Sequence, residues 1–373
     1  MYKPRLLAAV VCAFSVIFSY GWCAGNSSAT APAKIKVGYI GITCEAPLFV
    51  AVEKGFFKEE NLDVSLVKCD WSTYKDTIAL GGVDITHHLI MMFLKPIEQG
   101  MDVKILAGVH KGCLRVQTLN SSSIRTVEAL RGKRIGIPGM GSAPFIFATR
   151  AIGLHGLDPY RDITWQVFPA GELGLALEKG QVDAVATSEP IGTLLNSSGK
   201  FRNIADQAND EPFASEYCCG VVANGKFVSN NPQAAAAATR AILKAAKWVQ
   251  ANPQAAATLA VEKKYLASTS EINGLAISRL RYSPSISGGE AAVKTAAIAM
   301  QQAKMLRAST NLDELAQRAF ARLDGVSDDW IKAVQVEKVA GGQLLTNVPV
   351  TSLNDASAIG VTAKSCCEVA KNE

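Results

Sequence analysis

The sequence has little charge and few aromatic residues for its length. Only 19% of its 373 residues are charged, and 7% are Phe, Trp or Tyr. The 38 basic and 33 acidic residues leave a formal net charge of +5, which is too weak a balance to form a polyanion-binding surface. We therefore expect no nucleic-acid partner. With 49% hydrophobic residues, the chain is instead apolar enough and long enough for two packed cores.

The sequence also lacks the short motifs of several common catalytic and metal sites. It contains no Cys-x-x-Cys, no Gly-x-Ser-x-Gly and no His-Glu-x-x-His. Zinc-ribbon and thioredoxin spacings, the nucleophile elbow and the zincin helix are therefore excluded. After the N-terminus there is no uncharged apolar stretch of 18 residues, so we expect no transmembrane helix there.

The N-terminus is typical of a secretory signal. Lys3 and Arg5 precede the apolar run 6–18, and small residues follow it. That run is shorter than the roughly 20 residues that a bilayer crossing needs. We predict a signal peptide over 1–24, a flexible leader over 25–33 and export to the periplasm.

Export changes the interpretation of the nine cysteines, because disulfides form in oxidising compartments. Cys12 lies in the signal, and Cys23 is an alternative site of lipid attachment, although Trp22 before it fits that signal poorly. The seven that remain are Cys44, Cys69, Cys113, Cys218, Cys219, Cys366 and Cys367. This odd number leaves at least one thiol unpaired unless Cys23 joins them.

Strand and helix patterns alternate between residues 34 and 186, which predicts βαβ units and largely parallel sheets. The predicted strands are 34–39, 62–67, 83–86, 103–109, 134–138, 163–167 and 182–186. The predicted helices between them are 48–57 (closing at Gly55), 71–80, 89–99, 126–131, 143–155 and 172–179. The later chain is mostly helical, with Asn231 and Asn252 as predicted N-caps before Pro. Residues 331–373 are predicted to form a C-terminal helix and a polar tail.

Three stretches resemble the periplasmic solute-binding proteins of ABC importers in the nitrate, sulfonate, taurine and thiamine-precursor branch. They are APLFVAVEKGFFKEENLDV (46–64), LRGKRIGIPGMGS (130–142) and ALEKGQVDAVATSEP (176–190). The helical segment 231–257 is also similar, so that the resemblance covers roughly 34–330.

The resemblance implies an α/β fold of the two-lobed, type II periplasmic-binding-protein kind. Two doubly wound lobes would be joined by two crossover strands, near 115–119 and 217–222. Lobe 1 would comprise 34–116 and 220–330, and lobe 2 would comprise 117–219. A small ligand would be clamped between the lobes, and the closed form of a monomeric receptor would dock on a membrane permease. No cofactor is required for this function.

Ligands of doubly wound sheets lie at the carboxyl ends of the strands. That rule selects the loops that follow the predicted strands, and Gly139 to Ser142 could cradle an anion at a helix start. An ordinary glycine-rich turn is the alternative there. The predicted ligand-binding residues are Cys44, Glu45, Trp71, His87, His88, Cys113, Gly139, Gly141, Ser142, Glu189 and Cys218.

Cysteine and histidine are concentrated at this predicted cleft. The constellation consists of Cys44, His87, His88, Cys113, Cys218 and Cys219. Three explanations stay open: a soft metal bound by Cys44, His87, His88 and Cys113, a soft organic ligand, or a structural disulfide such as Cys44–Cys113 or Cys113–Cys218. The loops 41–45 and 86–89 offer no Arg or Lys, and Lys111 and Arg115 are the nearest basic candidates. A nitrate or simple sulfonate ligand is therefore in doubt.

The function predicted from these features is that of an extracytoplasmic receptor, not an enzyme. Its ligand would be an organosulfur compound, an anion or a metal-containing compound. The alternative is an exported enzyme that resembles the pyrimidine-precursor synthases, with a Cys nucleophile and His87 or His88 as base.

Overall fold

Two β-sheets organise the part of the chain that the structure, a computed structural model, describes, which is residues 31–340. The strands there are β1 (Ala33–Tyr39), β2 (Leu62–Lys68), β3 (Ile85–Leu89), β4 (Val103–Lys111), β5 (Arg115–Leu119), β6 (Lys133–Ile137), β7 (Ile163–Val167), β8 (Ala184–Thr187), β9 (Phe201–Asp206), β10 (Cys219–Asn224) and β11 (Arg281–Ser285).

Helices follow most of these strands. They are α1 (Ala46–Glu53), α2 (Phe56–Glu59), α3 (Tyr74–Ala79), α4 (Met91–Glu98), α5 (Ala143–Leu154), α6 (Leu173–Glu178), α7 (Ile191–Ser197), α8 (Gly225–Asn230), α9 (Pro232–Ala251), α10 (Pro253–Glu262), α11 (Ser270–Arg279), α12 (Ile286–Gln302), α13 (Leu312–Ala319) and α14 (Asp328–Ala333). None of the helices in residues 31–340 is both long enough and apolar enough to cross a membrane.

The two sheets share one topology. The first has the order β11-β4-β10-β3-β1-β2, and the second has the order β7-β6-β8-β5-β9. In each sheet three strands pair in parallel, and the strand that directly follows a connection between the sheets, β10 in the first and β5 in the second, pairs antiparallel beside them. The chain passes between the sheets twice, through residues 112–114 and 207–218. The lobe boundaries at 116 and 219 stay a prediction.

The core lies where helices cover these sheets. β3 and β10 are buried along their whole length, as expected of strands covered on both faces. Small residues let the layers approach: on α12, a Cβ at Gly289 would overlap the backbone nitrogen of Gly108 in β4. Helix and sheet backbone therefore touch at this point without intervening side chains.

Strand β3 is displaced from its predicted place, and this correction moves two site residues. The strand was predicted over 83–86 with His87 and His88 in the loop after it, but it runs from Ile85 to Leu89 and contains both. Asp84 instead ends the preceding turn, because its carboxylate accepts a hydrogen bond from the Lys36 N–H at 2.7 Å. Pairing with β10 then extends the strand as far as Leu89.

The helix predicted from residue 48 and closing at Gly55 does end just before that glycine, although it begins two residues earlier, at Ala46. Gly55 has a φ of +76°, a conformation that glycine adopts without strain, and Phe56 begins the separate short helix α2. Pro232 and Pro253 do begin helices, but Asn231 and Asn252 make no side-chain cap bond within residues 31–340. The Asn252 amide instead bonds the carbonyl of Glu337 at 2.9 Å and so secures the last described segment.

Several predictions lie outside the described residues. These are the signal peptide, most of the leader, Cys12, Cys23, Cys366, Cys367 and the tail after 340.

Candidate functional site

The carboxyl ends of the parallel strands in the two sheets face one another across a cleft. On one side, a Cβ built on Gly141 would lie 3.4 Å from the ammonium nitrogen of Lys75 in α3. On another, Arg279 at the end of α11 donates to the Thr193 hydroxyl of α7 at 3.4 Å. The glycine-rich loop after β6 therefore meets α3 of the first sheet's side at this cleft.

The glycine-rich loop after β6 lies at the cleft and leads directly into α5. Ser142 caps this twelve-residue helix by accepting a hydrogen bond from the Phe145 N–H at 3.5 Å. Gly139 and Gly141 are half-buried, and a Cβ on Gly139 would meet nothing within 4 Å among the described residues. The loop therefore has open space in front of its backbone, next to a helix start that favours negative charge.

Lys75 is a cleft residue that the sequence analysis missed. It lies in the first turn of α3, shortly after the carboxyl end of β2, and it is half-buried beside Gly141. The predictions found no cation in the loops after β1 and β3 and gave Lys111 and Arg115 as the nearest basic residues. The position of Lys75 after β2 was the available signal, because the same strand-end rule applies to it.

The Glu45 carboxylate hydrogen-bonds within its own turn. Its carboxylate accepts the backbone N–H groups of Ile40, Gly41 and Ile42, at 3.1, 2.8 and 3.2 Å. Burial raises the pKa of this carboxyl to about 7, although these hydrogen bonds oppose the shift. The predicted role in ligand binding stays untested, and the observed contacts fix the loop that follows β1.

Glu189 is fully buried in contacts with its own side of the cleft. The Arg115 guanidinium donates to it, and the Thr193 N–H and hydroxyl each donate at 3.0 Å. Burial raises the pKa of Glu189, opposed by the charge of Arg115. Arg115 also lies 3.5 Å from Asp206. Arg115, a basic residue predicted near the cleft, therefore already has two carboxylate neighbours.

Trp71 and His88 pack together on the first sheet's side of the cleft. The half-buried indole of Trp71 has its ring centre 5.6 Å from that of His88, which also lies 4.3 Å from the ring of Tyr74. The His88 Nδ1 is 3.7 Å from a Glu45 oxygen, yet burial lowers its pKa to about 3. His88 is therefore a neutral imidazole in an aromatic environment.

Four cysteine thiols converge beneath this cleft, at the two connections between the sheets. They are Cys44, Cys113, Cys218 and Cys219, each at most 2% exposed. All are free thiols in the structure, and so is Cys69, so neither of the disulfides considered from the sequence is formed there. Cys218 and Cys219 are adjacent in the chain, and both side chains are buried, so neither thiol faces the cleft. Their sulfurs lie 3.9 Å apart.

A histidine that the sequence analysis missed joins these thiols. His110 lies opposite Cys219 in the pairing of β4 with β10, and neighbouring strands carry such a pair on one face. The ligand atoms of Cys44, His110 and Cys219 all lie within 4.8 Å of one another. We call Cys44, Cys113, Cys219 and His110 the thiol–imidazole cluster.

The cluster differs from the metal set predicted from the sequence, which was Cys44, His87, His88 and Cys113. Cys44 and Cys113 are in hydrogen-bonding contact, as that set requires. His87 instead turns its ring edge toward the ring of His110, with 5.3 Å between the centres, and His88 faces Trp71 and Tyr74. Within residues 31–340, neither belongs to the group of ligand atoms that lie within 4.8 Å.

The fold is the two-lobed α/β fold of periplasmic binding proteins, as the resemblance predicted. Among solved structures, the alkanesulfonate-binding protein SsuA of Xanthomonas axonopodis bound to MOPS is similar with a TM-score of 0.65 and 17% identity, covering 79% of this chain and 100% of that one. The periplasmic nitrate-binding protein NrtA of Synechocystis gives a TM-score of 0.63 and 18% identity, covering 78% and 86%.

The chain belongs to the NMT1/THI5-like family, whose model matches residues 43–256, more than half of the sequence. It is 24% identical over 189 residues to the nitrate/nitrite binding protein NrtA of Nostoc, covering 45% of this chain and 43% of that protein. It is also 26% identical over 216 residues to the 4-amino-5-hydroxymethyl-2-methylpyrimidine phosphate synthase of Candida albicans, covering 53% and 61%. The chain thus spans about half the length of these two curated relatives.

Proposed function

We propose that this protein is the extracytoplasmic receptor of an ABC importer and that it holds a small anionic ligand between its two lobes. The single observation that carries the proposal is the placement of Lys75 against the Gly139 to Ser142 loop across the cleft. A cation from one side and free backbone donors at a helix start from the other converge where this fold binds its ligands.

The relatives support an anion as the ligand class. Their names give nitrate and nitrite, bicarbonate, and an alkanesulfonate receptor bound to MOPS. The doubt raised from the sequence, that the loops after β1 and β3 lack a cation, is met by Lys75 after β2. The half-buried ring of Trp71 supplies an apolar wall for the organic part of a larger anion.

The ligand would be released unchanged to a membrane permease, and the protein would act as a monomer in the periplasm. An exported enzyme is the second candidate, because one relative is a pyrimidine phosphate synthase. Most relatives are transport binding proteins, which favours the receptor.

Calorimetric titration with nitrate, bicarbonate, an alkanesulfonate and a pyrimidine phosphate tests the ligand class. We expect one of these anions to bind and to be recovered unchanged by mass spectrometry. Lys75→Gln should weaken its binding about 10- to 150-fold, since a hydrogen bond to a charged group contributes about 1.5–3 kcal/mol. Lys75→Arg should retain most of the affinity, and Lys226→Gln on the exposed surface of α8 is the matched control.

Gly139→Val provides a second test of the same site. Because a Cβ there meets nothing within 4 Å in residues 31–340, the variant should fold with unchanged stability, while its side chain obstructs the approach of an anion to the backbone. Failure of every anion to bind, or equal affinity in wild type, Lys75→Gln and Gly139→Val, would refute the proposed site. Conversion of the bound compound to a product would favour the enzyme.

A further inference from the structure

The thiol–imidazole cluster has a composition and a degree of burial that the proposed anion receptor does not use. We propose that it binds one thiophilic d10 metal ion, Zn²⁺ or Cu⁺, as a resident ion and not as transported cargo. Three thiols and one imidazole are a common donor set for Zn²⁺, and thiolates also select Cu⁺. This inference does not depend on the proposed ligand, whose site lies at Lys75 and Gly139.

The distances fit a metal ion after a small adjustment. Ligand atoms bound tetrahedrally at about 2.0–2.3 Å lie roughly 3.3–3.8 Å from one another. In the structure those of Cys44, His110 and Cys219 are within 4.8 Å, so side-chain rotations that shorten the separations by about 1 Å would close the coordination sphere. Cys113 lies beside Cys44 and Cys219 but outside this group of ligand atoms, so its side chain would have to move further to provide the fourth donor.

The imidazole of His110 has the orientation that a metal ligand needs. Its Nδ1 lies 3.5 Å from the Lys111 carbonyl oxygen, toward which it can direct its proton. Its Nε2 is buried and has no hydrogen-bond partner in the described part of the chain. Metal-ligating histidines usually donate from one ring nitrogen to a carbonyl and bind through the other.

The sulfur chemistry also fits. Metal binding needs no oxidant or reductant: each thiol that becomes a ligand loses its proton to solvent, and the sulfur donates an electron pair to the ion.

The location of the cluster argues for a resident ion. Cys113 lies in the connection 112–114, and Cys219 directly follows the connection 207–218. Every member is at most 2% exposed, and four protein ligands would leave no open position on the ion, as in structural metal sites. The ion would thus join both connections to the turn after β1.

Elemental analysis of the full chain, purified under reducing conditions and dialysed against Zn²⁺ or Cu⁺, tests the proposal. We expect one equivalent of ion, and a competing chelator series to show which of the two is bound more tightly. Cys219→Ser and His110→Gln should each weaken binding at least about 100-fold, because loss of a ligand costs no less than loss of a residue that orients one. Cys69→Ser and His155→Gln should bind as the wild type does.

Co²⁺ provides a readout that does not depend on the stability of the variants. Bound by thiolates in the wild-type protein, it should show a sulfur-to-metal charge-transfer band that Zn²⁺ or Cu⁺ abolishes. The proposal is overturned if the reduced wild-type protein binds neither ion or if Cys69→Ser reduces binding as much as Cys219→Ser does. It is also overturned if peptide mapping without reductant finds Cys44 in a disulfide that dithiothreitol does not open. Anion binding measured on the same samples tests the receptor function separately.

Discussion

Arg150 and Glu216 form a buried ion pair that connects α5 to the second passage between the sheets. The guanidinium donates to both carboxylate oxygens, at 2.7 and 2.8 Å, and the side chains are 0% and 3% exposed. The ring of Phe213 lies 5.0 Å from the guanidinium carbon. Two further Arg150 nitrogens, Nε and Nη1, have no hydrogen-bond partner within residues 31–340. Among these contacts, the Glu216 carboxylate is therefore the one that balances the charge of the guanidinium.

Removing one partner should therefore be much worse than removing both. Arg150→Met or Glu216→Leu leaves an uncompensated buried charge, which costs about 3–5 kcal/mol. That is a large part of the roughly 5–15 kcal/mol by which proteins are stable. The double variant buries no charge and fills the space with apolar groups, and such replacements are often neutral. We expect its free energy of unfolding to lie within about 1–2 kcal/mol of the wild-type value.

Urea denaturation of the four proteins, followed by circular dichroism, measures this coupling as a double-mutant cycle. The same cycle on Lys332 and Asp329, which are 77% and 93% exposed, is the control and should give less than about 0.5 kcal/mol. The reasoning would be refuted if the single variants cost under about 1 kcal/mol each. Losses that simply add in the double variant would refute it equally.

Two further predictions concern α12. Gly289→Ala should lower the free energy of unfolding by about 1–3 kcal/mol in urea denaturation, because its Cβ would overlap the backbone of Gly108. In the control Gly171→Ala, the added Cβ meets nothing within 4 Å in residues 31–340, so the free energy of unfolding should change by less than about 0.5 kcal/mol. Equal effects of the two substitutions would contradict the close contact at Gly289. Asp328 accepts the N–H groups of Ile286 and Ser287 at 2.7 and 3.1 Å, and although burial opposes it, hydrogen bonding lowers its pKa to about 2. Because the folded pKa is depressed, its contribution is present above the unfolded value of about 3.9 and is lost as pH falls toward 2. Since Asp328 is only half-buried and solvent screens its contacts, we expect Asp328→Asn to cost only about 1–2 kcal/mol at pH 6 and progressively less between about pH 4.5 and 3. A difference that does not vary with pH in urea titrations would contradict this.

Local patterns predicted the fold where an element is defined by its own residues. Strand β7 was predicted at 163–167 and has those bounds, because alternating residues between turn signals define it locally. Strand β3 was misplaced because its length depends on the antiparallel neighbour β10, which lies about 130 residues further along the chain. The helix end at Gly55 was predicted, and α1 does end just before it, because the local conformation there requires a glycine.

The candidate site was predictable as a region but not as a set of contacts. The strand-end rule brought the Gly139 loop and the cysteines to the cleft, and the structure places them there or beneath it. His110 was missed because it becomes a neighbour of Cys219 only through the register between β4 and β10, which one sequence does not encode visibly. The ligand-binding roles predicted for Glu45 and Glu189 stay predictions, and the structure adds protein partners for both carboxylates that one sequence could not show.

The contacts of Glu45 make the two rims of the cleft chemically unequal. Its carboxylate already accepts the backbone N–H groups of residues 40–42, so the loop after β1 cannot offer these donors to an anion. The opposite rim, with the start of α5, has donors to offer. An incoming anion would therefore settle first on the β6–α5 rim, and Lys75 would reach it from the other side as the cleft narrows. Binding would thus follow a fixed order, in which the anion contacts the second lobe first and the first lobe closes on it afterwards.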